Sequence, residues 1–245
     1  MEQMPAEQPD DDLGIRFRDC FSVKYLQSAA LFCRLAYRIE ADYSATGTIS
    51  PDGKLRHEAF VLNAIFSSVA FLEATINELW SDAADNAYCY ADEKNEALLR
   101  AIGEKWNNEN YFDRTPLPLK YQKVLEIGGL PLFPENDPDF LGIKEIIAIR
   151  NYLMHYRREW IPLPTGHESV AGAGQQTEPF GHQLAGRFAP SPFAAANLPF
   201  FPDRCLGHGC AEWAVTTSLA FTDRFFDVLG LPSSYEGIRG ELGTR

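Results

Sequence analysis

A chain of 245 residues, 45% of them hydrophobic, holds enough apolar mass for one substantial core, and the simplest organisation is one domain with insertions. Its formal charge of -12 argues against non-specific nucleic-acid binding over the whole surface, because phosphate neutralisation needs clustered Lys and Arg. No apolar run approaches the roughly 20 residues that span a membrane, and Glu2, Glu7 and Asp10 to Asp12 are unlike the basic start of a signal peptide, so the expectation is a cytoplasmic protein with no membrane part.

Residues 1–14 are polar, acidic and proline-bearing, which predicts a disordered tail. Phe21, Tyr25, Ala29, Phe32, Leu35, Ala36 and Ile39 recur at spacings of three and four and predict a first helix over 21–41. Thr46 to Lys54, with Gly47, Pro51 and Gly53, reads as a turn. The longest helical signal covers 57–88; it is dense in apolar residues from Phe60 to Trp80 and predicts the central, most buried helix. Glu73, Asn77 and Glu78 interrupt its apolar face, either as a solvated edge or as polar groups beside a site.

A short helix is predicted over Glu93 to Glu104, then a loop from Trp106 to Pro118 and a helix from Leu119 to Ile127, ended by Gly128 and Gly129. After a turn-rich connector, Asp139 reads as the cap of a helix that ends near Trp160, since Pro162 and Pro164 follow. Residues 161–207 form a long proline- and glycine-rich insertion or lid, in which Phe180, Phe188, Phe193, Phe200 and Phe201 predict that part of it packs on the helices. A last helix follows over Ala211 to Leu229, and the glycine-rich residues 232–245 are expected to be flexible. With no repeat, heptad run or alternating strand pattern, the fold class is all-α, its helical domain formed by 15–160 and 208–231.

The segment Arg150-Asn151-Tyr152-Leu153-Met154-His155 stands out in this plan. It continues an apolar helix carrying Ile143, Ile146 and Ile147, yet places Arg150 where another aliphatic residue would fit. On a helix Asn151 and His155 are one turn apart and share a face, so a cation, an amide and an imidazole can converge. Cys20, Cys33, Cys89, Cys205 and Cys210 lack a disulfide-like framework, and their odd count suits a reducing compartment. Cys205, His208 and Cys210 lie close enough in sequence for zinc, but structural sites usually need four ligands, and the reading taken is ordinary loop residues with no metal. His57, His167, His182 and His208 read as loop or surface residues.

Arg-Asn-x-x-x-His near the end of a late helix in an all-helical domain resembles the HEPN superfamily. Phe71-Leu72-Glu73-Ala74-Thr75-Ile76-Asn77-Glu78-Leu79 is similar to the long second helix of such domains, and Leu119 to Leu125 looks like the short helix before the motif. The resemblance covers about residues 20–160 and the last helix, and leaves the insertion unmatched. It implies an HEPN-like helical bundle and a metal-independent endoribonuclease with no cofactor, whose catalytic residues are Arg150, Asn151 and His155. A homodimer would bring two motifs across one cleft, and the implied setting is a toxin or antiphage effector restrained by a nucleotidyltransferase-like antitoxin.

RNA brings its own nucleophile, the 2′-hydroxyl, so cleavage needs proton transfer and charge stabilisation but no metal. An imidazole such as that of His155 accepts or donates a proton near neutrality, and the Arg150 guanidinium offers forked donors to phosphoryl oxygens. Asn151 can orient either the imidazole or the phosphate. Lys144, Arg157 and Arg158 would extend a basic strip, Tyr152 and Tyr156 could stack on unpaired bases, and Glu73 and Asn77 could support the site. Two alternatives stand beside this: Arg150 pairs with Glu73 or Glu78 inside the bundle while His155 ends a helix, or the chain is a non-catalytic dimeric interaction or nucleotide-binding module.

Overall fold

The computed structural model describes residues 18–87, 93–108, 114–157 and 178–245, and among them it contains helices but no β-strand. The acidic tail expected over 1–14 lies outside the described residues. Among the described residues seven α-helices follow in order: α1 (Phe21–Thr46), α2 (Pro51–Ala84), α3 (Glu93–Asn108), α4 (Leu117–Ile127), α5 (Pro138–Met154), α6 (Glu178–Leu184) and α7 (His208–Leu229). The all-α expectation holds.

Helix α2 is the axis of the fold and touches α1, α3, α4, α5 and α7. Because neighbours surround it, apolar residues are spread widely over its circumference, including Val61, Ile65, Phe71, Leu72, Ile76 and Trp80. That dense apolar character makes α2 long and apolar enough to cross a membrane by length and composition, with a window of mean hydropathy 1.7, although polar residues interrupt every apolar run in it. Half of that window is buried inside the protein.

Helix α2 starts earlier than expected. The stretch read as a turn up to Lys54 is helical from Pro51, because Ser50 accepts from the Gly53 N–H at 3.0 Å and proline suits the first helical position. The true turn is short: Gly47, at φ +69°, closes α1 by donating to the Tyr43 carbonyl at 2.7 Å. A face of Ala29, Ala30, Cys33 and Ala36 lets α1 lie close against α2.

Helix α4 is fastened by two adjacent residues. Tyr121 is fully buried, donates its hydroxyl to the Leu72 carbonyl at 2.7 Å, and meets Phe221 and Phe225 edge-on. Lys120 also reaches α2, where it meets Asn77 and Glu73. Gln122 then holds the following connector by donating to the Phe133 carbonyl at 2.7 Å and accepting from its N–H at 3.1 Å.

Helix α5 is capped by Asp137, not by Asp139: the Asp137 carboxylate accepts from the Asp139 and Phe140 N–H groups, both at 3.1 Å. Pro138 occupies the first helical position, and Arg224 of α7 binds both carboxylates. The buried stripe Phe140, Ile143, Ile146 and Ile149 faces the core. Gly142 allows a close crossing with α7, since a Cβ there would lie 2.5 Å from Thr217 Cγ2. The helix ends at Met154 rather than near Trp160, which lies outside the described residues.

Part of the insertion packs as the aromatic residues suggested. Phe201 is buried and meets Phe180 and Tyr152, while Phe188 stacks near Trp213. Residues 232–245 differ from the flexible end expected: they include a 3-10 helix over Glu236–Glu241, and Tyr235 is fully buried with its hydroxyl bonded to Thr222 and Asp223, each at 2.9 Å. A buried tyrosine anchor outweighs the local cost of glycine.

Candidate functional site

The last turn of α5 turns outward as its apolar stripe ends. Ile149 is buried, Arg150 keeps 27% of its side chain exposed, and Asn151, Met154 and His155 are exposed. His155 is the C-cap, and its N–H donates to the Asn151 carbonyl at 3.0 Å. The amide and imidazole thus share one open helix end, as their spacing predicts.

Arg150 turns toward α2. Its Nη2 lies 3.9 Å from Glu73 Oε2, while Lys120 Nζ approaches Glu73 Oε1 at 3.7 Å and donates to Asn77 Oδ1 at 2.9 Å. Lys120 is only 3% exposed, an unusual place for an ammonium, and the carboxylate and amide on α2 offset its desolvation. Glu73 and Asn77 are one turn apart on α2: Glu73 meets Arg150 directly, while Asn77 bonds to Lys120, which approaches the same Glu73 carboxylate. Glu78 points elsewhere and accepts from Ser22 at the start of α1.

Other members of the expected constellation separate. Lys144 is six residues before Arg150, about 9 Å back along the axis, and its ammonium binds Glu135 over the Phe140 ring. The Tyr152 ring packs 4.7 Å from Phe201 and 5.8 Å from Tyr156, so it braces the insertion against α5. Tyr156, 53% exposed, and Arg157 remain open beside His155. Arg158 lies outside the described residues. On the opposite flank Glu145 binds Arg187 at 2.7 Å, and burial pushes the Glu145 carboxyl above the usual carboxylate range against the pull of that guanidinium.

Two histidines expected in loops or on the surface are buried. Glu40 Oε1 lies 2.7 Å from His57 Nε2 and accepts from the His208 N–H at 2.7 Å, joining α1, α2 and the start of α7. Phe193 meets the His57 ring edge-on at 4.7 Å. The signal for His57 was present in the spacing, since His57, Val61, Ala64 and Ser68 continue one buried stripe. His167 lies outside the described residues. The His208 ring lies 5.0 Å from Tyr37 and its Nε2 lies 3.2 Å from the Thr244 carbonyl, while Cys205 points its thiol to the Pro202 carbonyl at 3.3 Å. Among the described residues no three metal-binding side chains gather.

What the end of α5 offers chemically is a guanidinium held by a carboxylate, a solvent-facing amide and imidazole, and a neighbouring aromatic ring and cation. Compared with known proteins, the chain matches no family model, no curated protein and no solved structure.

Proposed function

We propose that this chain is a metal-independent endoribonuclease of the HEPN type, acting in the cytoplasm as a toxin or antiphage effector, with a homodimeric site. The observation that carries the reading is the end of α5, where Asn151 and His155 face solvent one and five residues after an Arg150 held by Glu73. In the proposed reaction His155 takes the proton of the RNA 2′-hydroxyl and the 2′-oxygen attacks phosphorus. The bond to the 5′-oxygen breaks, and the leaving oxygen receives a proton from the His155 of a second copy. The products are a 2′,3′-cyclic phosphate and a 5′-hydroxyl.

Arg150 neutralises charge on the non-bridging oxygens, with Glu73, Lys120 and Asn77 behind it to fix its direction. Asn151 orients the imidazole or the phosphate, Tyr156 stacks on a base, and Arg157 binds the backbone. A nucleotidyltransferase-like antitoxin is the restraining partner in this reading. Free Cys33, Cys205 and Cys210 suit a reducing compartment.

Incubation of the purified protein with single-stranded RNA in chelator tests the proposal. Cyclic-phosphate ends are expected, with cleavage reduced by about 100-fold or more in His155→Ala and Arg150→Ala. Equal cleavage by the His155→Ala protein would remove the claim.

A second reading, a non-catalytic dimeric interaction or nucleotide-binding module, is favoured by the Arg150–Glu73 pair and by Met154 and Tyr156, exposed at 59% and 53% beside it. It predicts that Arg150→Ala lowers stability or dissociates the protein and that no RNA is cut by the wild type.

A further inference from the structure

A cleft of about 550 Å³ opens between the start of α1, the C-terminal half of α2 and the loop after α7. Its size is that of a small-molecule site. Leu79 and Phe226, 4% and 8% exposed, form an apolar wall. The cleft lies away from the motif, because Thr75 on its lining is two residues from Glu73 and so about 200° around α2.

Thr75 is the first sign of a ligand. It is 3% exposed, and among the described residues its hydroxyl has no hydrogen-bond partner. Several helical hydroxyls here bond to the carbonyl four residues back, as Ser68 does to Ala64 at 2.8 Å, Thr216 to Glu212 at 2.8 Å and Thr222 to Ser218 at 3.0 Å; among the described residues the buried Ser218 hydroxyl shares the unpartnered state of Thr75, but Ser218 does not line this cleft. A buried hydroxyl without a partner is costly, and this one belongs to a residue that lines the cleft, where a donor reaching past the rim would satisfy it.

Glu78, nearly one turn further along the same face, supplies the charge. The Ser22 N–H donates to its Oε1 at 2.8 Å and the Ser22 hydroxyl to its Oε2, which fixes the carboxylate and leaves lone pairs for another donor. Among the described residues Glu78 has no ion-pair partner, whereas Asp19 binds Lys24 and Asp82 binds Arg18. Carboxylates outnumber the one cation lining the cleft, Arg18, which is paired with Asp82 and Asp85, and the Cys20 thiol is pushed up by burial and then by Glu78, Asp82 and Asp19 against the pull of Arg18.

We propose that this cleft binds a small organic cation, an amine whose ammonium donates to Glu78 and Thr75 while an apolar body lies on Leu79 and Phe226. Carboxylate, orphan acceptor and apolar wall together complement that class. An anion of the same shape would meet the Glu78 charge unfavourably.

Calorimetric titration of the full chain with phenethylamine, and with phenylacetate as the anion of similar shape, is the test. Phenethylamine is expected to saturate one site with a Kd on the order of 1 mM, as its few atoms allow, and phenylacetate to give no saturable heat. Glu78→Gln, which keeps an acceptor for Ser22, should weaken the amine by about tenfold. Thr75→Val should weaken it by about threefold while leaving the protein at least as heat-stable, because an orphan hydroxyl is removed. Equal binding of amine and acid, unchanged amine affinity in both variants, or no saturation by about 10 mM phenethylamine would overturn the proposal.

Discussion

Lys120 shows how one buried charge can organise a neighbourhood. Its stem is enclosed, its ammonium binds Asn77, and the carboxylate it approaches is shared with Arg150. Removing the side chain takes both packing and the ion pair, so Lys120→Ala is expected to cost about 2 kcal/mol, while Lys120→Met, which keeps the stem, should recover about half. Urea denaturation of the variants checks this. At the same scale the cysteines differ in reach: the Cys33 thiol is enclosed and burial pushes it up to about 12, whereas the Cys20 thiol, also shifted upward, belongs to an exposed residue. Residue chemistry near Arg150 was partly legible, since Glu73 and Asn77 stand one turn apart in sequence. Lys120 was not, because a lone lysine in a helix reads as solvated until a neighbouring helix covers it.

At the scale of the element, the direction of α5 depends on its first turn. Asp137 caps the helix and pairs with Arg224, and that hydrogen bond, with the backbone donors, holds its carboxyl below the usual range. A depressed folded pKa adds stability that is present above the unfolded value of about 3.9 and is lost as pH falls through the folded one. Asp137→Asn keeps a capping side chain but loses the charge. It should cost about 1 kcal/mol at pH 7, and the difference from wild type should shrink in thermal melts below pH 4. The cap lies at Asp137, two residues before the Asp139 that the sequence suggested, because the backbone course decides which of two nearby carboxylates meets the free N–H groups. The far end of α5 also differs from the expected position near Trp160. Pro162 stops a helix from running through it but does not oblige helix up to it, and α5 stops at Met154.

Across the whole molecule, α2 gathers the other helices and sets Glu73 toward α5 and Glu78 toward α1. The open end of α5, with Met154 and Tyr156 exposed, is the surface through which the proposed homodimer would complete its site. Sedimentation of the wild type should give twice the 27.5 kDa mass of one chain at micromolar concentration, and Met154→Asp should shift it to the monomer and lower RNA cleavage together. A monomer that cuts RNA at full rate would remove the shared site from the proposal.

By itself the sequence determined the all-helical class, the central place of α2, and the sharing of a helix end by Asn151 and His155, because these follow from apolar periodicity and from the fixed geometry of a turn. The tertiary structure decided which polar residues meet. It joined Arg150 to Glu73 and Lys120, withdrew Lys144 to Glu135, pressed Tyr152 against Phe201, and buried His57 and His208 on Glu40. Such pairings arise from the way separate helices pack, and helical periodicity carries no information about which neighbour will cover a given face.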